Sequence, residues 1–191
     1  MRRKRIRRET RETEISVEVD LDGSGESSIQ TPYAFFSHML CSLSTHSLID
    51  MTVEARGDLR HHVIEDTALA LGYALKGALG DMEGIARFGF ALVPMDCSLA
   101  SCALDIGGRP YAKVELSAED GSIEGVAVED LTHFLESMAT ALGANIHVDV
   151  KYGRNDHHKV EAAFKALALS LRQASSLDPR REGVPSSKGA I

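Results

Sequence analysis

His61, His62 and Glu65, in the stretch HHVIE, are matched residue type for residue type by His157, His158 and Glu161 in HHKVE. Each copy opens a long apolar-periodic segment. Each is also preceded by another histidine at almost the same distance: His38 lies 23 positions before His61, and His133 lies 24 before His157. Alternating runs stand between them, Ile49 to Ala55 in one half and Asn145 to Tyr152 in the other. Each half therefore reads helix, strand, polar turn, helix. Such an internal duplication limits the possible folds more than any other feature of the chain. Two copies cannot make a solenoid, so the halves are expected to pack as one pseudo-symmetric domain.

The doubled motif also has a chemical meaning. Residues i and i+4 share a helix face, so His61 can meet Glu65 and His157 can meet Glu161. The neighbours His62 and His158 point roughly 100° away around the axis, so one ion cannot easily take both histidines of a pair. Two ions could be held if each took a His/Glu pair from one helix and an odd histidine from another. A lone histidine is usually a surface residue or a satisfied core residue. Six histidines and two glutamates in register across a duplication call for a dinuclear metal site instead. Imidazole and carboxylate without thiolate form a borderline-to-hard donor set that suits Mn, Fe or Zn. His46 and His147 lie outside the scheme: His147, in an alternating strand, reads as structural, and His46, near the end of the first helix, is a candidate substrate contact.

The rest of the chain reads as an ordinary globular protein of 191 residues, 43% apolar and 26% charged, with net charge −7. That balance disfavours a general nucleic-acid binder. No run of about 18 apolar residues exists to span a membrane. Cys41, Cys97 and Cys102 have no CxxC spacing and read as reduced thiols of a cytoplasmic protein. The basic start MRRKRIRRETRE reads as a solvated lead-in to the strand Glu14 to Leu21. SIQTPY, MTVEAR, FGFALVPMD, SCALDIGG, YAKVELSA and NIHVDVKYG are further strand candidates. Helices are expected over Phe35 to Ser44, Ile64 to Leu79, Val128 to Leu142 and His157 to Gln173. The two that follow the HHxxE motifs carry small residues on nearly every turn, which favours deep burial. The fold class expected is α/β (α+β), an internally duplicated domain with helices sandwiched between two small sheets. Its halves would span about 1–90 and 91–175, with an aperiodic tail over 176–191.

FFSHML, HHVIEDTALALG, PMD, GGRPY, YGRNDHHKVEAAFKALA and PSSKG together closely resemble the imidazoleglycerol-phosphate dehydratase family, over nearly the whole chain. The resemblance implies a ribosomal-protein-S5-domain-2-like fold. It implies a hydro-lyase that converts D-erythro-imidazole glycerol phosphate to imidazole acetol phosphate in histidine biosynthesis. It further implies two Mn2+ per active site and a homo-24-mer whose sites are shared between subunits. By motif, one metal would take His38, His62, His157 and Glu161, and the other His61, Glu65, His133 and His158. Glu12 matches the family's acid/base glutamate, acting beside the carboxylates of Glu65 and Glu161. Arg87, Arg109, Lys165, Ser186 and Lys188 match its phosphate-binding groups, so the tail would order over the substrate. The expected route passes through a metal-bound imidazolate and a diazafulvene-like intermediate, with Glu12 moving protons.

The chain departs from the family pattern at Ser37, where an aspartate is usual, at Ser42 for a glutamine, and at Cys97 for an acidic residue. Its GDLRHH turn is also short. A diiron oxidase or metal store is the rival reading, but it would use Glu-x-x-His on a four-helix bundle. The order here is His-His-x-x-Glu, with strands between the helices. A nucleic-acid module using the arginine-rich start would leave the eight metal-type ligands unexplained.

Overall fold

The computed structural model describes residues 2–191. The chain runs twice through one order of elements. The first half has β1 (Arg3–Glu9), β2 (Thr13–Asp20), β3 (Ser27–Gln30), α1 (Ala34–Ser47), β4 (Asp50–Gly57) and α2 (Arg60–Leu79). The second has β5 (Phe88–Met95), β6 (Ser98–Asp105), β7 (Tyr111–Glu115), a small hairpin of β8 (Ser122–Ile123) and β9 (Val126–Ala127), then α3 (Val128–Leu142), β10 (Asn145–Tyr152) and α4 (Asp156–Ser175).

The sheets have the same topology, β1-β2-β4-β3 and β5-β6-β10-β7. In each, the third strand of the half pairs in parallel with the strand that follows its first helix, β3 with β4 and β7 with β10, and the other pairings are antiparallel. A parallel pair needs a crossover, and α1 and α3 supply it.

Four layers result. α1 and α2 lie on the first sheet, and α3 and α4 on the second. Across the middle α2 packs on α3 and α1 on α4, so each helix of one half meets a helix of the other. Strict alternation on β2 sends Ile15, Val17 and Val19 into the core. Ala68, Ala74, Ala162 and Ala166 are wholly buried on the two long helices, which lets the layers approach closely. Gly72 marks the tightest part of the α2–α3 contact: a Cβ there would lie 2.6 Å from Ala141 Cβ and 2.8 Å from Met138 O.

The basic start differs from the expected lead-in. It forms the edge strand β1, in antiparallel register with β2 from Arg3↔Asp20 to Glu9↔Glu14. Its outward arginines are matched by carboxylates, Arg3 and Arg5 by Glu18 and Arg7 by Glu14. The strand signal is masked because RKRIRRE has one apolar residue, Ile6, and inward charges are a usual guard on an edge strand. Lys4 lays its stem over Gly77 of α2, and Arg8 reaches Asp66 on the same helix. The tail after α4 has no regular secondary structure but is tied down: Leu177 bridges Ile85, and Gly84 donates to Gly183 O at 2.9 Å. Both long helices begin slightly earlier than their apolar periodicity suggests, so each HHxxE motif opens its helix.

Candidate active site

Every histidine of the doubled motif sits in the first turn or two of its helix. α4 is capped by Asn155, whose side chain accepts the His158 N–H at 3.2 Å. At α2 the Asp58 carboxylate accepts the Leu59 N–H at 2.6 Å.

The packing of α1 on α4 and α2 on α3 brings the ligands together crosswise. His38 of α1 joins His157 and Glu161 of α4, while His133 of α3 joins His61 and Glu65 of α2. In each trio one ligand atom per residue lies within 4.8 Å of the others. His38 Nε2 and His157 Nε2 stand 3.7 and 3.4 Å from Glu161 Oε2. His61 Nε2 and His133 Nε2 stand 3.8 and 3.2 Å from the two oxygens of Glu65. These separations suit donors around a common cation. Two imidazoles and a carboxylate without thiolate fit Mn, Fe or Zn.

Neighbouring groups orient the rings. His61 Nδ1 is 2.9 Å from Asp130 Oδ1, and Asp130 is buried and also accepts Arg60 Nε at 2.6 Å. A carboxylate accepts only, so the His61 proton stays on Nδ1 and Nε2 is free to ligate. Burial pushes the Asp130 carboxyl up, but its bonds to Arg60 and His61 outweigh that and hold it below the ordinary range. Glu161 is treated the same way. Burial raises its pKa, while the hydrogen bond and charge of Lys165, at 2.8 Å, and the charges of His38 and His157 bring it down overall.

His62 and His158 lie outside both trios. His62 Nδ1 contacts Asp58 at 2.9 Å and faces Glu12 Oε2 at 3.7 Å, and the Asp58 bond raises its pKa. His158 Nδ1 meets Cys97 Sγ at 3.6 Å, and its Nε2 is 3.4 Å from Asp96. The His158 contact, the Arg154 N–H and Ser98 pull the Cys97 thiol down to about 6. Within one chain each expected four-ligand set is thus present as three.

The phosphate-binding candidates divide. Arg87, Arg109, Ser186 and Lys188 line one cavity of about 330 Å³ with Gly107 and Gly108. Arg87 is clamped there by Asp105 at 2.6 and 3.0 Å and donates to Pro185 O at 2.9 Å. Lys165 sits on Glu161 and Met95 instead. His46 lies near Lys165 and Glu161; burial, then the Lys165 charge, lowers its pKa. Of the departures, Ser37 bonds Thr31 at 2.9 Å, and Ser42 Oγ is buried without a hydrogen-bond partner among the described residues.

Sequence reasoning missed Asp58, Asp96, Asp105 and Asp130. The i,i+4 rule that paired His61 with Glu65 also pairs Asp58 with His62, so that one was within reach. Asp130 meets His61 only because α3 packs on α2, and no spacing announces it.

A duplicated α/β domain that gathers two His/Glu trios across its halves presents two donor sets of the kind that could hold metal ions. Residues 31–171 match the family model described as imidazoleglycerol-phosphate dehydratase. A relative from Methanothermobacter thermautotrophicus bearing that name is 50% identical, with 100% of this chain and 98% of that protein covered. One from Roseobacter denitrificans is 47% identical with both covered in full. The crystal structure of the Pyrococcus furiosus protein in complex with (S)-C348 superposes with TM-score 0.86 at 39% identity, covering 97% of this chain and 100% of that one. The Staphylococcus aureus structure gives 0.85 at 30% identity over 92% of this chain and 99% of that one. The chain belongs to the imidazoleglycerol-phosphate dehydratase family and is a hydro-lyase.

Proposed function

We propose that this protein dehydrates D-erythro-imidazole glycerol phosphate to imidazole acetol phosphate, a step of histidine biosynthesis, using two Mn2+ per active site. The crossed pair of His/Glu trios is the observation that carries this reading. His38, His157 and Glu161 would hold one ion, and His61, Glu65 and His133 the other. His62 and His158, which the chain leaves outside its own trios, would complete the sets of a neighbouring subunit. Active sites shared within a homo-24-mer follow from that reading. The exposed row Phe88, Phe90 and Leu92 on β5 is the kind of apolar surface that subunit contact covers.

Paired divalent ions would supply Lewis-acid stabilisation and orient the substrate imidazole. The chain's own groups do the rest. Arg87, Arg109, Ser186 and Lys188, with Lys165 and His46, bind and orient the phosphorylated end, and the 176–191 tail closes over it. No carbonyl acidifies the carbon next to the departing hydroxyl, so the ring itself must push it out, through an imidazolate and a diazafulvene-like species. Glu12, facing His62 from the β1–β2 turn, moves the proton, with the carboxylates of Glu65 and Glu161 close by. The whole chain acts as one dehydratase domain of two halves, about 1–90 and 91–175. Three cysteines outside any disulfide suit the cytoplasm, and no described helix is long and apolar enough to cross a membrane.

Chelator-stripped protein reloaded with Mn2+ is expected to convert imidazole glycerol phosphate to the acetol phosphate, and His157→Ala to abolish that turnover. Stoichiometric metal binding without dehydration would reject the substrate assignment. Oxygen consumption with ferrous iron and no need for an imidazole would favour a diiron oxidase, a reading the two sheets already oppose.

A further inference from the structure

Glu12 is exposed, at the tip of a three-residue turn between β1 and β2, where little packing would fix a side chain. Its backbone, however, is wired to the metal helix. Thr13 is buried, and its hydroxyl contacts Asp66 Oδ2. A carboxylate accepts, so Thr13 must donate. That leaves the Thr13 oxygen to accept from the Thr10 hydroxyl at 3.1 Å. Thr10 Oγ in turn accepts the N–H of Glu12 at 3.1 Å and of Thr13 at 3.0 Å. The direction of every bond is thereby set: Glu12 N–H to Thr10, Thr10 to Thr13, Thr13 to Asp66. Bonds aligned this way polarise and strengthen one another.

Two more contacts close the frame. Arg8 Nε donates to Asp66 Oδ1 at 2.7 Å, holding the other side of the hairpin, and Asp58 N–H donates to Glu12 O at 3.0 Å. Asp66 follows Glu65 directly and lies one helical turn beyond His62. One helix thus carries metal-site candidates on one side and grips the Glu12 hairpin with the next residue along.

We propose that Asp66 is a positioning residue that sets Glu12 through the Thr13–Thr10 hydrogen-bond chain. This rests on the reading of Glu12 as the acid/base group. Asp66→Ala and Thr13→Val, each alone and combined with Glu12→Gln, test it in the Mn2+-loaded protein. Each single change is expected to lower kcat about tenfold or more, as small misplacements of catalytic groups do, with KM and bound Mn2+ unchanged. Amide hydrogen exchange over residues 10–14 should quicken. In the Glu12→Gln background neither change should lower kcat further.

An equal loss in both backgrounds, or exchange left unchanged, would overturn the positioning role while leaving Glu12 its own. Full turnover by Glu12→Gln alone would instead remove the acid/base assignment and the proposal with it. Should Asp66→Ala fail to fold, Thr13→Val, which trades a hydroxyl for a methyl at similar volume, decides the matter.

Discussion

Asp130 sits under His61 much as the second carboxylate of a carboxylate–histidine–metal arrangement does, and its effect is separable from the ligands it supports. Asp130→Ala should leave His61, Glu65 and His133 in place yet weaken Mn2+ at that trio about 10–100-fold, as loss of such outer partners usually does. Calorimetric titration of the metal-free protein checks this, and an undiminished affinity would mean the ring is held by packing on His133 alone, whose ring stacks on His61 at 5.0 Å. At this scale the sequence was highly legible. The six histidines and two glutamates announced themselves by repetition, and the three that meet in each trio were among the four assigned to each metal. The groups that meet the rings, such as Asp130 at His61 and Cys97 at His158, repeat no spacing and were not legible.

Elements position these residues through a few close contacts. At Gly72 a methyl would press on Met138 O and Ala141 Cβ where α2 crosses α3. Gly72→Ala should gain up to about 1 kcal/mol of helix propensity but lose about 1–3 kcal/mol to overpacking. Net destabilisation in urea melts is expected, together with weaker Mn2+ binding, because the two helices carry His61, Glu65 and His133. A gain in stability would show that the contact can relax.

The loop before β3 depends on Asp50, whose Oδ1 accepts the N–H groups of Ser24, Gly25 and Glu26 at 2.8, 2.9 and 2.8 Å. Burial raises the Asp50 carboxyl, but those three bonds outweigh it and leave its folded-state pKa lowered. A lowered folded pKa gives stability that is present above the unfolded value and is lost as pH falls through the folded one. Asp50→Ala should therefore cost about 1–3 kcal/mol near neutrality and flatten the acid limb of the stability profile. An unchanged limb would place the acid sensitivity elsewhere. Most elements were readable from periodicity. β1 was not, because pairing with β2 and α2 stabilises a strand whose own residues are nearly all charged.

At the scale of the whole molecule, each chain holds two trios and leaves two histidines of the doubled motif, His62 and His158, outside them. If a site is built from the first trio of one subunit and the second trio of another, inactive variants should rescue each other. His157→Ala spoils one trio and His61→Ala the other, so co-refolded mixtures should regain about a quarter of wild-type turnover from sites that draw an intact trio from each. A mixture as inactive as its components would mean that both trios of a site come from one chain. Mass measurement of the metal-free and reloaded protein would show whether the ions also hold subunits together.

The sequence by itself determined the duplication, the α/β class, the helices and strands that flank each motif, and which side chains are ligand types. Those depend on local spacing, which a helix or strand converts directly into a shared face. Spacing alone left open which histidine joins which motif, and the family likeness put His38 with the second and His133 with the first. Only the tertiary structure supplied the physical cause of that exchange. That crossing arises because α1 packs on α4 and α2 on α3, contacts between helices far apart in the chain, such as Gly72 against Ala141. The same long-range packing placed Asp130 under His61, gathered Arg87, Arg109, Ser186 and Lys188 around one cavity, and tied the Glu12 hairpin to Asp66. None of these contacts has a period to read, because each joins segments whose separation along the chain carries no geometric information.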